Sequence, residues 1–192
     1  MKQTKEDRSI ERIHLALAEL MKKESFDSIH VSDIIKESHV SRSTFYSHYK
    51  SKDDVLDKLT EEIFLHVFST GLKQEESHDF SSGSIFDYQM LLRHIFYHFR
   101  EERNLIGAIF LSSASHRFIL NLEKELSRLV SCMVQSGMLS SNGVPENISV
   151  SQYTSGLIEL LKYYTVEERK ESPEDMCSYF FSLYHKGGGK PS

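Results

Sequence analysis

The stretch that decides the fold of this 192-residue chain is VSDIIKESHVSRSTFYSHYKSK, residues 31–52. It holds two segments of helical period, near 31–38 and 42–48, and each is too short to be stable as an isolated helix. They therefore need each other and the helix predicted before them. The apolar residues that fit the inward side are Ile34, Ile35, Val40, Phe45 and Tyr49. The stretch predicts a helix-turn-helix.

The second short segment carries a polar outward face. Its members are Arg42, Ser43, Thr44, Tyr46, Ser47 and His48, and Ser41 before them is placed to cap the helix. The face offers hydrogen-bond donors and aromatic edges and contains no carboxylate, whereas a solvated face normally includes acids. Such a face suits a groove lined by phosphates and base edges, so the segment is predicted to be a recognition helix.

Outward from this stretch, nearly every segment repeats its apolar residues at helical period, so the chain is predicted to be all-α. About nine helices are expected, and three of them form an N-terminal head that contains the helix-turn-helix. The predicted helices cover about 4–23, 31–38, 42–48, 52–74, 84–101, 103–111, 114–138, 147–165 and 173–185. The polar residues 75–83 are predicted to form a loop, and the glycine-rich residues 187–192 a disordered tail.

The net charge of -5 is unevenly divided along the chain. Residues 1–52 carry ten Lys and Arg against eight Asp and Glu, and the rest carries thirteen against twenty. Phosphates near the four histidines of the head would also favour the charged imidazole. The head is thus the end suited to DNA, and an acidic body would be repelled from it.

Several classes of protein are excluded by what the sequence lacks. It has no apolar stretch behind its N-terminus and no run of 18 apolar residues, so a cytoplasmic protein without a membrane partner is expected. Cys132 and Cys177 lie far apart in apolar segments, without the spacing of a zinc site, and both are predicted to be core residues. No cofactor is predicted.

The stretch resembles the head motif of the TetR family of bacterial regulators. The matching residues are Val31, Asp33, Ile34, Val40, Ser41, Thr44, Phe45, Tyr46, His48, Ser51, Lys52 and Leu56, with Tyr49 as the aromatic. The resemblance implies that Arg42 and Ser43 approach bases and that Tyr46 contacts bases or backbone. It implies phosphate contacts for Thr44, His48 and Lys52. Ser32 and Ser47 complete the predicted DNA-binding set.

Two departures from the family motif lie at the turn, where Ser38 and His39 replace Ala-Gly. Glycine there indicates a positive φ, which His tolerates better than most residues, so some strain is expected at His39. His30 also replaces the usual Thr cap, which weakens the start of the first short helix.

The resemblance extends to the body, residues 53–186, and implies a ligand-sensing and dimerisation domain behind the DNA-binding domain of residues 1–52. The family pairs its last two helices across a two-fold axis. The residues that this implies for the dimer interface are Tyr153, Leu157, Leu160, Leu161, Tyr164, Met176, Phe180 and Leu183. The alternative is that these apolar residues form the core of a single chain. The sequence leaves it open, because periodicity does not show which molecule covers an apolar helix face.

The central helices are rich in aromatic residues and histidines. Most of these are assigned to the core, but a ligand pocket is predicted at His94, Phe96, Tyr97, Phe110 and Phe118. The spacing of His94 and His98, with His116 nearby, is weak support for a metal, and no metal is predicted. The serines at 112, 113 and 115 lack the turn and the carboxylate of a nucleophile, so no enzyme is expected.

Together these observations predict a transcription regulator. It would bind a palindromic operator as a homodimer, act as a repressor and be released by an unknown small-molecule effector. The alternative hypothesis is a helical adaptor that kept the fold but binds protein partners through it.

Overall fold

The computed structural model of the chain describes residues 5–68, 87–141, 143–167 and 169–184. Within these ranges every regular element is helical, which confirms the predicted all-α class. The helices are α1 Lys5–Met21, α2 Val31–Ser38, α3 Arg42–His48, α4 Lys52–Val67, α5 Tyr88–Glu101, α6 Arg103–Phe110, α7 Ser115–Gln135, α8 Glu146–Val166 and α9 Pro173–Tyr184. The predicted loop 75–83 and tail 187–192 lie outside the described residues.

The head is a three-helix unit in which α1 packs against α2 and α3. Its centre is made of fully buried apolar residues, among them Leu17, Phe26, Ile34 and Phe45. Of the predicted inward set, Ile34, Phe45 and Tyr49 are buried and the other two are half-buried. The short helices α2 and α3 are thus held by a shared core, as their length requires.

Side-chain caps explain where several helices begin. At the start of α4, the Ser51 Oγ accepts from the Asp54 N–H at 3.1 Å, and Asp54 accepts from the Ser51 N–H at 3.1 Å. Ser172 and Asp175 repeat this capping box before α9. Helix α5 begins later than predicted, because Asp87 is its cap and accepts from the Met90 N–H at 3.0 Å.

The chain divides into two compact units. One comprises Met1–His66 together with Asn104–Phe118, and the other Val67–Arg103 together with Ile119–Ser192. The unit that contains the head therefore extends beyond residue 52 and takes in most of α6 and the first turn of α7. Within it, Arg117 forms ion pairs of 3.0 Å with Asp53 and with Asp57 on α4. The Phe118 ring lies 5.3 Å from the Phe64 ring.

In the second unit, α5 packs against α8 and α9, and these two helices also pack on each other. The α8–α9 contact is close at Gly156, where an added Cβ would lie 1.7 Å from the Tyr184 hydroxyl. The ring of Tyr164 meets the Phe96 ring edge-on at 5.8 Å, and its hydroxyl donates to the Glu171 carbonyl at 3.0 Å. The inner sides of α8 and α9 are therefore the core of this unit.

This packing corrects the predicted dimer interface. Six of its eight residues are buried inside the single chain, namely Tyr153, Leu157, Leu161, Tyr164, Met176 and Phe180. Leu160 is half-buried, and Leu183 is exposed. A side chain already covered by its own chain has no apolar surface left for a partner, so the alternative of an intramolecular core is correct for those six.

The two cysteines also differ from each other. Cys177 is buried, as predicted, but Cys132 is exposed, so the prediction of a core position was wrong there. Buried Val130 and Met133 flank Cys132 on the inner side of α7, which leaves position 132 on the outer side of the same turn.

Among the described helices, no single one is both long and apolar enough to cross a membrane. Arg103–Phe110 and Ser115–Gln135 reach the required length and apolarity only as a bent pair.

Candidate nucleic-acid interface

Helix α3 is positioned by one cap and one anchor. The Ser41 Oγ accepts from the Thr44 N–H at 3.0 Å and so caps the helix as predicted. The anchor is Phe45, whose side chain is fully buried beneath the helix. Because α3 has only seven residues, this one aromatic side chain fixes which side of the helix points inward.

The opposite side of α3 is open. Arg42, Ser43 and Ser47 are exposed, and the Tyr46 side chain is 48% exposed. The Arg42 guanidinium lies 5.7 Å from the centre of the Tyr46 ring, one helical turn away. The Tyr46 ring thus holds the Arg42 side chain by a cation–π contact, and the N–H groups of the guanidinium stay available to a ligand.

The remaining predicted DNA-binding residues are less uniform. Ser32 on α2 is exposed, whereas Thr44 and His48 are half-buried. The Thr44 hydroxyl is 2.8 Å from the Ser41 Oγ, and the His48 ring lies 6.3 Å from the Tyr49 ring. Thr44 and His48 therefore take part in the structure of the head as well as in its surface.

The turn between α2 and α3 has the strained backbone that the sequence predicts. His39 has φ 52 and ψ 32, in the left-handed region, and among the described non-glycine residues it alone has a positive φ. Its N–H donates to the Lys36 carbonyl at 3.3 Å and closes α2. The predicted weak start of α2 is offset, since the Asp33 carboxylate accepts from the His30 N–H at 2.8 Å.

Lys52, for which the resemblance implies a phosphate contact, has a structural role within the head. Its ammonium donates to the carbonyls of Phe26, Asp27 and Ile29 at 2.7, 3.1 and 2.8 Å. It also lies 4.6 Å from the centre of the Phe26 ring. Since an ammonium has three N–H donors, all are used within the head. Lys52 therefore ties the loop after α1 to the start of α4.

A chain of hydrogen bonds links buried His14 to buried Tyr49, which follows α3, and to exposed Glu62 on α4, and it was not predicted. The His14 Nδ1 lies 2.9 Å from the Glu62 carboxylate, and its Nε2 lies 2.7 Å from the Tyr49 hydroxyl. An ionised carboxylate only accepts, so Nδ1 is the donor, and in the neutral ring Nε2 accepts from Tyr49. Burial, assisted by the charge of Glu62, raises the pKa of Tyr49 to about 12. The only sequence signal was a histidine on the apolar side of α1.

The predicted ligand pocket is distributed over both compact units. In the first, the Phe110 and Phe118 rings meet edge-on at 5.1 Å. In the second, buried His94 places its Nε2 3.0 Å from the Nε2 of His98, and Phe96 is fully buried. The part of the chain that the structure describes contains no group of three side chains that could hold a metal ion.

Two family models match the chain. Residues 13–59 match the model described as bacterial regulatory proteins, tetR family. Residues 87–186, just over half of the chain, match the model described as a transcriptional regulator C-terminal region.

Comparison with known proteins agrees with these matches. An uncharacterised HTH-type transcriptional regulator from Haemophilus influenzae is 26% identical over 107 residues, which are 56% of this chain and only 55% of that protein. The crystal structure of a TetR transcriptional regulator from Streptococcus agalactiae is 27% identical, with a TM-score of 0.74 over 94% of this chain and 96% of that one. A dihydroxyacetone kinase operon activator has a TM-score of 0.67 at 16% identity, over 91% and 93% of the two chains. These proteins are regulators rather than enzymes, as the sequence indicated.

Proposed function

The chain belongs to the TetR family of DNA-binding transcription regulators, and from this premise we propose that it is a repressor that binds a palindromic operator as a homodimer. In this proposal α3 enters the major groove of each half-site. The body, by contrast, holds the dimer together and responds to a small-molecule effector.

The observation that supports this proposal most directly is the division of α3 into a buried and an open side. Arg42, Ser43 and Tyr46 lie on the open side, and the helix contains no acidic residue. Arginine forms paired hydrogen bonds with guanine in the major groove. We propose that Arg42 and Ser43 contact bases, that Tyr46 contacts bases or backbone, and that exposed Ser32 and Ser47 with half-buried Thr44 and His48 bind phosphates.

The proposed homodimer needs an apolar surface that a single chain leaves open. Helices α8 and α9 offer one, since Tyr163, Tyr179 and Leu183 are 36%, 46% and 65% exposed. Half-buried Leu160 belongs to the same two helices. We propose these residues as the centre of the interface in place of the six that are buried. A two-fold dimer would present two copies of α3 to half-sites one helical turn apart.

The experiment that tests DNA binding is fluorescence anisotropy of the full chain on the DNA upstream of its own gene, beside a scrambled duplex. Arg42→Ala should weaken specific binding by roughly 10- to 100-fold, which is the value of a good base contact. Arg128→Ala is the matched control, because Arg128 is also exposed and pairs only with Glu125 on its own helix. It should leave the affinity unchanged.

The salt dependence of the same titration separates specific binding from other associations. A dimer with about 6 to 10 phosphate contacts should lose affinity steeply, with a log-log slope of about -0.9 per contact. Salt-insensitive binding, or equal affinity for scrambled DNA and for sites found by genome-wide selection, would contradict the proposal. That outcome would favour the adaptor hypothesis.

The sign of regulation is tested separately, because one structural neighbour is an operon activator. A reporter under the bound promoter should be expressed more strongly when the gene for the chain is deleted. Lower expression after deletion would show an activator.

A further inference from the structure

A cleft of about 470 Å³ opens between α7 and α8, within the second compact unit. Its walls carry the apolar side chains of Leu120 and Val150. Its polar lining consists of Glu123, Lys124 and Ser127 on α7 with Asn147, Ser151 and Thr154 on α8. None of these residues belongs to the DNA-binding surface or to the predicted aromatic pocket.

The cleft holds one positive and one negative side chain that the protein itself does not use. Glu123 and Lys124 are exposed, and neither side chain has a hydrogen bond or an ion pair with another described residue; the Lys124 carbonyl accepts from the Ser127 hydroxyl at 3.1 Å. Two other charged groups on the same helices do have partners within the chain. Arg128 pairs with Glu125 at 3.0 Å, and Glu146 accepts from Gln135 at 3.0 Å. The two unused charges of opposite sign therefore face a common space.

An unsatisfied hydroxyl supports the cleft as a binding site. Thr154 is only 1% exposed, and its Oγ1 has no hydrogen-bond partner among the described residues. Thr165 on the same helix is also buried, but its hydroxyl donates to the Leu161 carbonyl. A buried hydroxyl without a partner is unfavourable, whereas valine would fill the same volume without that cost. A ligand in the cleft would supply the missing partner.

We propose that this cleft binds a small zwitterion of the free amino acid class. The Lys124 ammonium holds the carboxylate of the ligand, and the Glu123 carboxylate holds its ammonium. The hydroxyls of Ser127, Ser151 and Thr154 and the amide of Asn147 complete the site. A simple anion would meet Glu123 and a simple cation would meet Lys124, so repulsion selects against both. Because the cleft is open to water, its charges are screened and weak binding is expected.

The inference names a ligand class for the effector that the proposed function leaves open. It rests on that function only for the effect of the ligand on DNA. Binding to the free protein and release of DNA are therefore measured separately.

The test is thermal unfolding of the full chain with each standard amino acid in turn, at about 10 mM. The amino acid that stabilises most is then titrated by calorimetry, beside its amide, which lacks the carboxylate, and its deaminated acid, which lacks the ammonium. Both analogues should bind roughly three- to fivefold more weakly than the amino acid. Stabilisation by no amino acid, or equal binding of the deaminated acid, would overturn the proposal.

Variants locate the site. Lys124→Gln, Glu123→Gln and Thr154→Val should each weaken binding by roughly three- to fivefold, with unchanged circular dichroism. Lys170→Gln and Glu159→Gln are matched exposed controls outside the cleft lining and should bind as the natural chain does. Binding that survives Lys124→Gln would overturn the assignment.

Operator anisotropy with and without the amino acid separates the two proposals. A ligand that binds in the cleft but leaves operator affinity unchanged supports the cleft and contradicts only its effector role. A chain that binds the ligand but no DNA would contradict the proposed function and leave the cleft in place.

Discussion

Helices α3 and α9 make an instructive pair, because each is fixed by one fully buried phenylalanine and each was predicted to present a face to another molecule. In α3 the anchor is Phe45, and the predicted outward residues Arg42 and Tyr46 are exposed. In α9 the anchor is Phe180 itself, a residue predicted to meet a second chain. A polar face without acids identifies a ligand by its chemistry. An apolar stripe shows only that something covers it.

Among the variants that test this difference between α3 and α9, Phe180→Ala is expected to have the largest effect. Removing a fully buried ring from the core of the second unit should lower the free energy of unfolding by about 3 to 5 kcal/mol, as Phe45→Ala should in the head. Urea unfolding measures this loss. Sedimentation equilibrium should show an unchanged dimer dissociation constant in conditions where the variant is folded.

Leu183→Ser is the matched control on α9, because Leu183 is 65% exposed. It should change the stability of the folded chain little and weaken the dimer. The opposite pattern, in which Phe180→Ala dissociates the dimer without loss of stability, would show that the inner side of α9 is the interface after all.

A smaller effect is expected in the head from Lys52→Met. The ammonium donates to three carbonyls and Lys52 is half-buried, so its loss should cost about 2 kcal/mol of unfolding free energy. Since no donor remains for DNA, the salt slope of operator binding should not change. If Lys52 contacted a phosphate, the Lys52→Met variant would instead have a salt slope smaller in magnitude by about 0.9.

Lys50→Met is the control for Lys52→Met. Lys50 is exposed two residues earlier, and only its backbone N–H is bonded, to Asp54 at 2.8 Å. The free energy of unfolding of the Lys50→Met variant should stay within about 0.5 kcal/mol of that of the natural chain. A reduced salt slope in Lys52→Met would show that the ammonium leaves the loop when DNA binds.

The sequence could predict those parts of the molecule that depend on neighbouring residues. Helix starts such as Ser51 and Ser172 follow from residues within four positions of each other. The left-handed turn at His39 was predicted from the resemblance, because the family motif has glycine there. The fold class and the open side of α3 follow from period and motif. The Lys52 contacts could not be predicted in this way, since they join residues 23 to 26 positions apart. The same holds for the link from His14 to Glu62, 48 positions away.

A still smaller effect is expected from His39→Gly, which tests one of the departures from the family motif in the head. At φ 52 the Cβ of His39 is crowded, and glycine removes this strain. The variant should be more stable by about 1 kcal/mol in urea unfolding, after allowance for the greater freedom of glycine in the unfolded chain. His39→Ala keeps a Cβ and should show no gain. Equal stability of all three proteins would mean that the turn relaxes without cost.

The smallest perturbation is a measurement of thiol reactivity in the folded protein. It tests whether residues of the same chain cover the inner side of α9. Burial raises the pKa of the Cys177 thiol to about 11, although Arg93 opposes the shift. At pH 8 only about one thiol in a thousand is then ionised, and the thiolate is the species that reacts. Exposed Cys132 should therefore react rapidly with a disulfide reagent, and Cys177 only after unfolding. If a second chain covered Cys177 instead, dilution of Cys132→Ser below the dimer dissociation constant would make the remaining thiol reactive. A rate independent of protein concentration is expected, because the covering residues belong to the same chain.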